Sequence, residues 1–259
     1  VTGPAGRAFD RLLVAALLLA GWQGASAAWG EYWASGPLPA AAAFWRLVAS
    51  GSLPTNALYT LEATAWGFAI GLPPGILLPF LLRRHPRIRA VLDPFMVAAY
   101  GVPKLALAPL FIVWFGIGIG SKVALVASVT FFIVYFNAMA GVAAVDRRLI
   151  ATVRVMGAGE RRVLTDVVWP ASVPYVFAGI RTATPYAVGG TVVTELISSN
   201  RGLGHLIQLS ANRFQTNEVF AALFGVLILV IGCNLAVQAV ERRLLRWRPP
   251  VFAASGAAG

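Results

Sequence analysis

Residues 145–174 read VDRRLIATVRVMGAGERRVLTDVVWPASVP. Leu149, Ile150, Val153 and Met156 recur at helical spacing. The pattern stops at Gly157-Ala158-Gly159, a run of small residues that suits a helix end and a turn. It resumes with Val163, Leu164, Val167 and Val168, and Pro170 is expected to close it. The stretch therefore reads as two short amphipathic helices joined by a small-residue corner. Glu160 opens the second, where a helix N-terminus favours negative charge.

On both sides of this charged stretch the chain is apolar. A spanning helix needs about 20 mostly apolar residues. Stretches near Leu12–Trp29, Leu58–Leu82, Val91–Ile117, Val123–Val145, Val173–Ile197 and Val219–Val240 qualify or nearly so. The third is interrupted by Pro94, Pro103 and Pro109. The first has a rival reading: Arg7 and Arg11, then Leu12–Ala20, then Ala25-Ser26-Ala27 resemble a signal peptide with a small-residue cleavage site. We read it as an uncleaved first helix. Across all 259 residues, 58% are apolar and 12% charged, about half the charge of a soluble domain, and mean hydropathy is +0.75.

The net charge of +11 does not form one patch, as a nucleic-acid-binding face would. The basic residues sit in short clusters between apolar runs. With the N-terminus in the cytoplasm, Arg7 and Arg11, the 83–89 cluster, the 147–162 cluster and the 242–248 tail place fifteen of the 21 Lys and Arg on that side. Four lie opposite: Arg46, Lys122, Arg201 and Arg213. Positive charge stays on the cytoplasmic side. Both termini are therefore expected in the cytoplasm, with an even number of spans. The predicted fold class is all-α: a polytopic membrane protein of about six transmembrane helices, with a cytoplasmic helix between the fourth and fifth. The predicted organisation is an N-terminal arm, first helix and outer loop over 1–57, a core over 58–248 containing the loop 146–170, and a flexible tail over 249–259.

A few residues within or beside the spans need separate reasons. Lys104 follows Pro103 inside the third span. It reads either as an anion-attracting group in a pathway or as a structural lysine bonded to carbonyls that Pro103 frees. Arg181 and Glu195 share the fifth span but lie 14 residues apart, about 21 Å along one helix, so they cannot pair within it. Each reads as a pathway group or as one half of a salt bridge to another helix. Gly67, Gly71 and Gly75 make a smooth stripe for close helix packing, with Pro73 and Pro74 expected to kink the helix beside it. The segment Ser198–Asn217, with Arg201-Gly202-Leu203-Gly204, is too short and polar to span and suits a re-entrant or surface-lying element. Cys233 is a lone apolar-run cysteine, and His85 and His205 offer no metal-ligand spacing, so no metal site is expected.

The 145–174 loop resembles the cytoplasmic signature loop of bacterial ATP-binding-cassette (ABC) importer permeases. Gly157, Ala158 and Pro170, followed by Pro174, match that family's pattern. One departure stands out: the family's usual Glu falls on Ala151, followed by Thr152 and Val153. Asp93-Pro94, the run Val102–Gly118, Pro174–Arg181, Thr194-Glu195 and Arg201–Ile207 are similar to the nitrate/sulfonate/taurine-type members, over about residues 55 to 248. The resemblance implies that Arg154, Met156, Gly157, Ala158, Gly159, Glu160 and Arg161 form the ATPase-coupling site. It implies a pathway or outer gate near Pro103, Lys104, Arg181, Glu195, Gly202 and Gly204.

It also implies a multi-pass protein of the bacterial inner membrane, in contact with lipid and with no nucleic acid partner. The implied partners are two ATPase subunits, a second permease copy in a homodimer and an external substrate-binding protein. ATP and Mg would belong to the ATPase, because this chain has no Gly-x-x-x-x-Gly-Lys phosphate loop, no catalytic residue and no cofactor of its own. The implied cargo is a small anion such as a sulfonate, nitrate or bicarbonate, or else a vitamin or its precursor. Two other classes are weighed against this. A secondary transporter or channel would want mid-membrane coupling carboxylates, whereas Glu62 and Glu195 lie near span ends. A membrane enzyme would want a clustered nucleophile, base or metal set, and none is legible.

Overall fold

Runs of Leu, Val, Ala and Ile long enough to cross a bilayer satisfy their backbone only as helices, and helices are what form. The computed structural model describes residues 4–30 and 33–246, without the side chains of residues 4–8 and 11. Arg248 and the expected tail 249–259 lie outside the described residues, as do the side chains of Arg7 and Arg11. The helices are α1 (Pro4–Trp29), α2 (Pro37–Ala49), α3 (Ser52–Leu82), α4 (Pro86–Gly101), α5 (Ala108–Phe115), α6 (Ile119–Ala143), α7 (Arg147–Val155), α8 (Glu160–Arg162), α9 (Trp169–Ile197), α10 (Leu203–Asn212) and α11 (Thr216–Leu244). There is no strand among the described residues.

Five helical stretches are long and apolar enough to cross a membrane, and a bent pair makes a sixth if counted as one span. That pair is α4 and the segment Lys104–Phe115, which meet at 77°. The break has a local cause. Val102 precedes Pro103 and is pushed out of the helical region, to ψ 127°. A short 3₁₀ turn over Lys104–Leu107 then leads into α5.

The second expected helix of the charged loop is not a separate element. Glu160–Ile197 is one continuous helix of 38 residues, in which Pro170 and Pro174 sit without ending it. A π-helical stretch over Val163–Val168 precedes Pro170. The wider turn accommodates a ring that would otherwise strike the preceding carbonyls. α3 likewise continues through Pro73, Pro74 and Pro79. A further departure is α2, a 13-residue helix within what reads from sequence as an outer loop.

The packing divides into two units. In the first (Val1–Leu61 with Val192–Ile228), Trp22 of α1 packs on Phe220 of α11, ring centroids 5.2 Å apart. Arg46 of α2 pairs with Glu218 of α11 at 3.0 Å, and Ser210 of α10 donates to the same carboxylate. In the second (Glu62–Thr191 with Leu229–Gly259), α3, α6 and α9 come together through small residues. A Cβ on Gly67 or Gly71 would strike Val126 or Ala127 of α6, and one on Gly179 would strike Asn137. The core between them contains Leu125, Val129, Ile133, Val134 and Ala183.

Candidate functional site

Three groups of residues inherit the sequence expectations, and the loop carrying α7 is the most fully built. Asp146 caps α7, accepting from the Arg148 backbone N–H at 2.8 Å. The other end closes in a Schellman arrangement. Gly157 N–H donates to the Arg154 carbonyl and Ala158 N–H to the Val153 carbonyl, both at 2.9 Å. Gly157 adopts φ +85°, which a side chain disfavours. The apolar residues of α7 and its turn then divide between two faces. Ile150, Val153 and Ala158 pack on Phe80, Val142, Val145, Val163 and Val168. Leu149, Val155 and Met156 are exposed, Val155 at 89% and Met156 at 79%.

Glu160 ties this loop to α3. One carboxylate oxygen accepts from Arg83, just past the end of α3, and the other accepts from Arg154 of α7 at 2.9 Å. The 83–89 cluster and the α7 loop therefore lie at the same end of this unit. Burial pushes the Glu160 carboxyl up, but hydrogen bonding and charge from Arg154 and Arg83 outweigh it and hold the group below its ordinary 4.5. A depressed carboxyl stabilises the fold fully above its ordinary value, and that contribution disappears as pH falls through the lower folded value. Proteolysis of the 145–160 loop is therefore expected to rise as the pH drops below about 4.5, and a Glu160→Gln variant should show the faster cutting already at neutral pH. Arg161 lies in the first turn of the same helix, exposed and outside this clamp.

The second group surrounds the break in the third span. Lys104 Nζ donates to the carbonyls of Ala99, Tyr100 and Val102, and sits 4.5 Å from the Phe132 ring centroid. A cation at the C-terminal end of α4 offsets the carbonyls exposed there. Pro103 and Lys104 also line a cavity of about 380 Å³ with Tyr100, Phe132, Thr182 and Tyr186. Arg181 is next to Thr182 in sequence but pairs with Glu241 of α11 at 3.4 Å.

The third group is in the other unit. Glu195 is 1% exposed. It accepts from Thr60 Oγ1 on α3 and, at 2.9 Å, from Gly204 N–H at the start of α10. Gly202 N–H donates to Asn56 Oδ1 at 2.7 Å, and Leu203 N–H donates to Thr60 Oγ1 at 2.9 Å. A carboxylate at this helix N-terminus satisfies donors that the helix itself leaves unpaired.

Residues 67–247 match the family described as the binding-protein-dependent transport system inner membrane component. The chain belongs to this family. Across 82% of its length the permease is 35% identical to the putative aliphatic sulfonates transport permease protein SsuC of Bacillus subtilis, covering 77% of that protein. It is 33% identical to the riboflavin transport system permease protein RibX of Chloroflexus aurantiacus, over 82% of this chain and 80% of the relative. Its fold matches a chain of the MetNI methionine ABC transporter in inward-facing form, with TM-score 0.60 and 18% identity, over 77% of this chain and 96% of that one. The permease is thus a multi-pass inner-membrane protein, and its resemblance to sulfonate/taurine-type members stands.

Some features of this permease were not legible beforehand. Val155 falls off the apolar stripe of α7, yet it is the most exposed apolar residue of the loop. Arg83 reads from sequence only as one charge in a cluster, with nothing to single it out. Lys122, read as a loop cation, is fully buried and donates to the carbonyls of Ile117 and Gly118 at 2.9 and 3.0 Å.

Proposed function

We propose that the permease forms the substrate pathway of an ATP-driven importer and that the α7 loop is where a partner ATPase docks. Both termini and this loop would then lie in the cytoplasm, a placement that the arginine distribution supports. One observation carries the reading: α7 has an inward apolar face anchored on the spanning helices and an outward one, Leu149, Val155 and Met156, left uncovered. An exposed apolar patch at a charged membrane loop suits a protein partner. ATP and Mg would be bound by that partner, and closure of two ATPases would drive a pair of permeases through alternating access. A binding protein would deliver the cargo on the far side, near the α10 segment.

The test is direct. Gly157→Leu forces a side chain into a left-handed position, at a cost of about 1–2 kcal/mol, and projects it from the docking face. Ala158→Leu instead pushes α7 off its anchoring cluster. Both variants should insert in the membrane normally, while ATPase co-purification falls about tenfold. Unchanged co-purification and transport in both would refute the coupling site.

For cargo, we favour a small sulfonate-type anion, by analogy with the named function of the SsuC relative. A vitamin or vitamin precursor is the second reading. It is supported by the riboflavin permease at nearly equal identity and by the aromatic lining of the 380 Å³ cavity. Identifying the ligand of the cognate binding protein separates the two.

A further inference from the structure

We propose that Glu160 is a positioning residue whose carboxylate locks α7 to the end of α3, so that the ATPase-facing helix and a spanning helix move as one body. The proposal rests on the reading of α7 as the docking element, and it adds the route by which movement there reaches the membrane.

Three observations carry it. First, the two oxygens of Glu160 are used by two different helices, one by Arg83 at the end of α3 and one by Arg154 of α7. Second, the Arg83 side chain is only 15% exposed, and its Nε makes no hydrogen bond, so Glu160 is the group that balances this guanidinium. A charge so far removed from water is costly without its partner. Third, the covalent path from α7 into the long helix beginning at Glu160 runs through Gly157-Ala158-Gly159, and a Cβ on either glycine would meet nothing within 4 Å. Backbone hydrogen bonds and the packing of Ala158 close this joint, but neither glycine contributes a side-chain tie to α3.

Ile150 and Val153 of α7 also pack on an apolar cluster that includes Phe80 near the end of α3. Apolar contact is non-directional and permits sliding. A carboxylate held by two guanidinium groups fixes direction as well as distance. α7, the start of α8 and the end of α3 thus meet at one side chain, and a push on the exposed face of α7 is delivered to α3 through it.

Spin labels on α7 and α3 test this in the full chain, assembled with its partner ATPase in lipid nanodiscs. Ala151→Cys and Leu81→Cys carry the labels, with Cys233→Ala removing the native thiol. With Glu160 present, the label distance should be the same with and without bound nucleotide. With Glu160→Gln, the distribution should broaden and its mean should shift on nucleotide binding. Arg83→Gln breaks the same lock from the other end and should behave alike. The double variant should be no worse than either single one, because both remove one shared interaction.

A label distance that changes with nucleotide in the parent protein, a Glu160→Gln variant as rigid as the parent, or additive losses would each overturn the lock. Cross-linking of Met156→Cys to the ATPase reads the docking assumption separately. If that cross-link fails while the distances behave as stated, the lock stands and the docking face is wrong.

Discussion

A Gly71→Ala variant is expected to lose about 2–3 kcal/mol of stability, the upper part of the usual range for overpacking, and Gly71→Leu is expected not to accumulate as folded protein. A Cβ at Gly71 would lie 2.5 Å from the Ala127 carbonyl oxygen and 3.0 Å from its Cα. Both are backbone atoms of α6, so no side chain can rotate away. The helices must separate. Separation loses contacts along the whole stripe, because Gly67 meets Val126 and Ala127 one turn before, and Gly75 meets Phe131 and Val134 one turn after. In lipid, where close van der Waals packing holds helices together, little replaces such contacts. Gly67→Ala should cost about as much as Gly71→Ala, since its Cβ would lie 2.4 Å from Val126 Cβ, which moves only with its helix. Gly232→Ala in α11 is the control, because a Cβ there meets nothing within 4 Å. Thermal unfolding in detergent gives the order. Equal stability of Gly71→Ala and Gly232→Ala would show that α3 and α6 do not approach as described.

The spans were legible because apolar length is a one-dimensional signal. Each expected span falls on a helical stretch, most with ends that differ by several residues, but the one expected from Val173 begins at Glu160 and Val91–Ile117 is broken at Pro103. The glycine stripe was legible for the same reason, since its four-residue repeat marks one face of α3. Its partner was not. That α6 presents Val126, Ala127 and Phe131 to it is a fact of tertiary packing which no period in either helix encodes. Pro170 misled because proline normally ends a helix, while the π stretch that admits it has no sequence signature of its own.

The loop around Gly157 shows the same division. The corner and the opening position of Glu160 follow from local chemistry, and the helix does begin there. The identity of the partners does not, because Arg83 lies 77 residues away. Periodicity also placed Leu149, Ile150, Val153 and Met156 together, whereas the fold assigns Ile150 and Val153 inward and Leu149 and Met156 outward. Only Ile150 and Val153 of this nine-residue helix are partly covered by its own protein, and which residues those are depends on neighbours that periodicity alone cannot name.

Gly204→Ala is expected to displace α10 and to cost more than any change at Glu195 itself. Its Cβ would fall 2.3 Å from the Val192 carbonyl oxygen and 2.6 Å from Glu195 Cβ, on the last turns of α9. Neither atom can yield without moving that helix. The same displacement would pull Gly204 N–H from the Glu195 carboxylate and Leu203 N–H from Thr60. Lost packing and orphaned buried donors therefore add, at about 1–3 kcal/mol for each unpaired group. Glu195→Ala leaves the backbone approach intact and orphans Gly204 N–H, while Thr60 Oγ1 can still donate to the Asn56 carbonyl, so it should fall in that single-group range. Glu195→Gln keeps one oxygen that can still accept, and should cost least. Gly202→Ala belongs with Gly204→Ala, because Gly202 has φ +106° and its Cβ would overlap the Glu195 carboxyl group. Hydrogen exchange across 198–212 reads the result locally: both glycine variants should lose protection there, Glu195→Ala partly, and Glu195→Gln little. Protection unchanged in Gly204→Ala would mean that α10 is not seated on α9 through this contact. A greater loss in Glu195→Gln than in Glu195→Ala would mean that charge, rather than the supply of an acceptor, holds the segment in place.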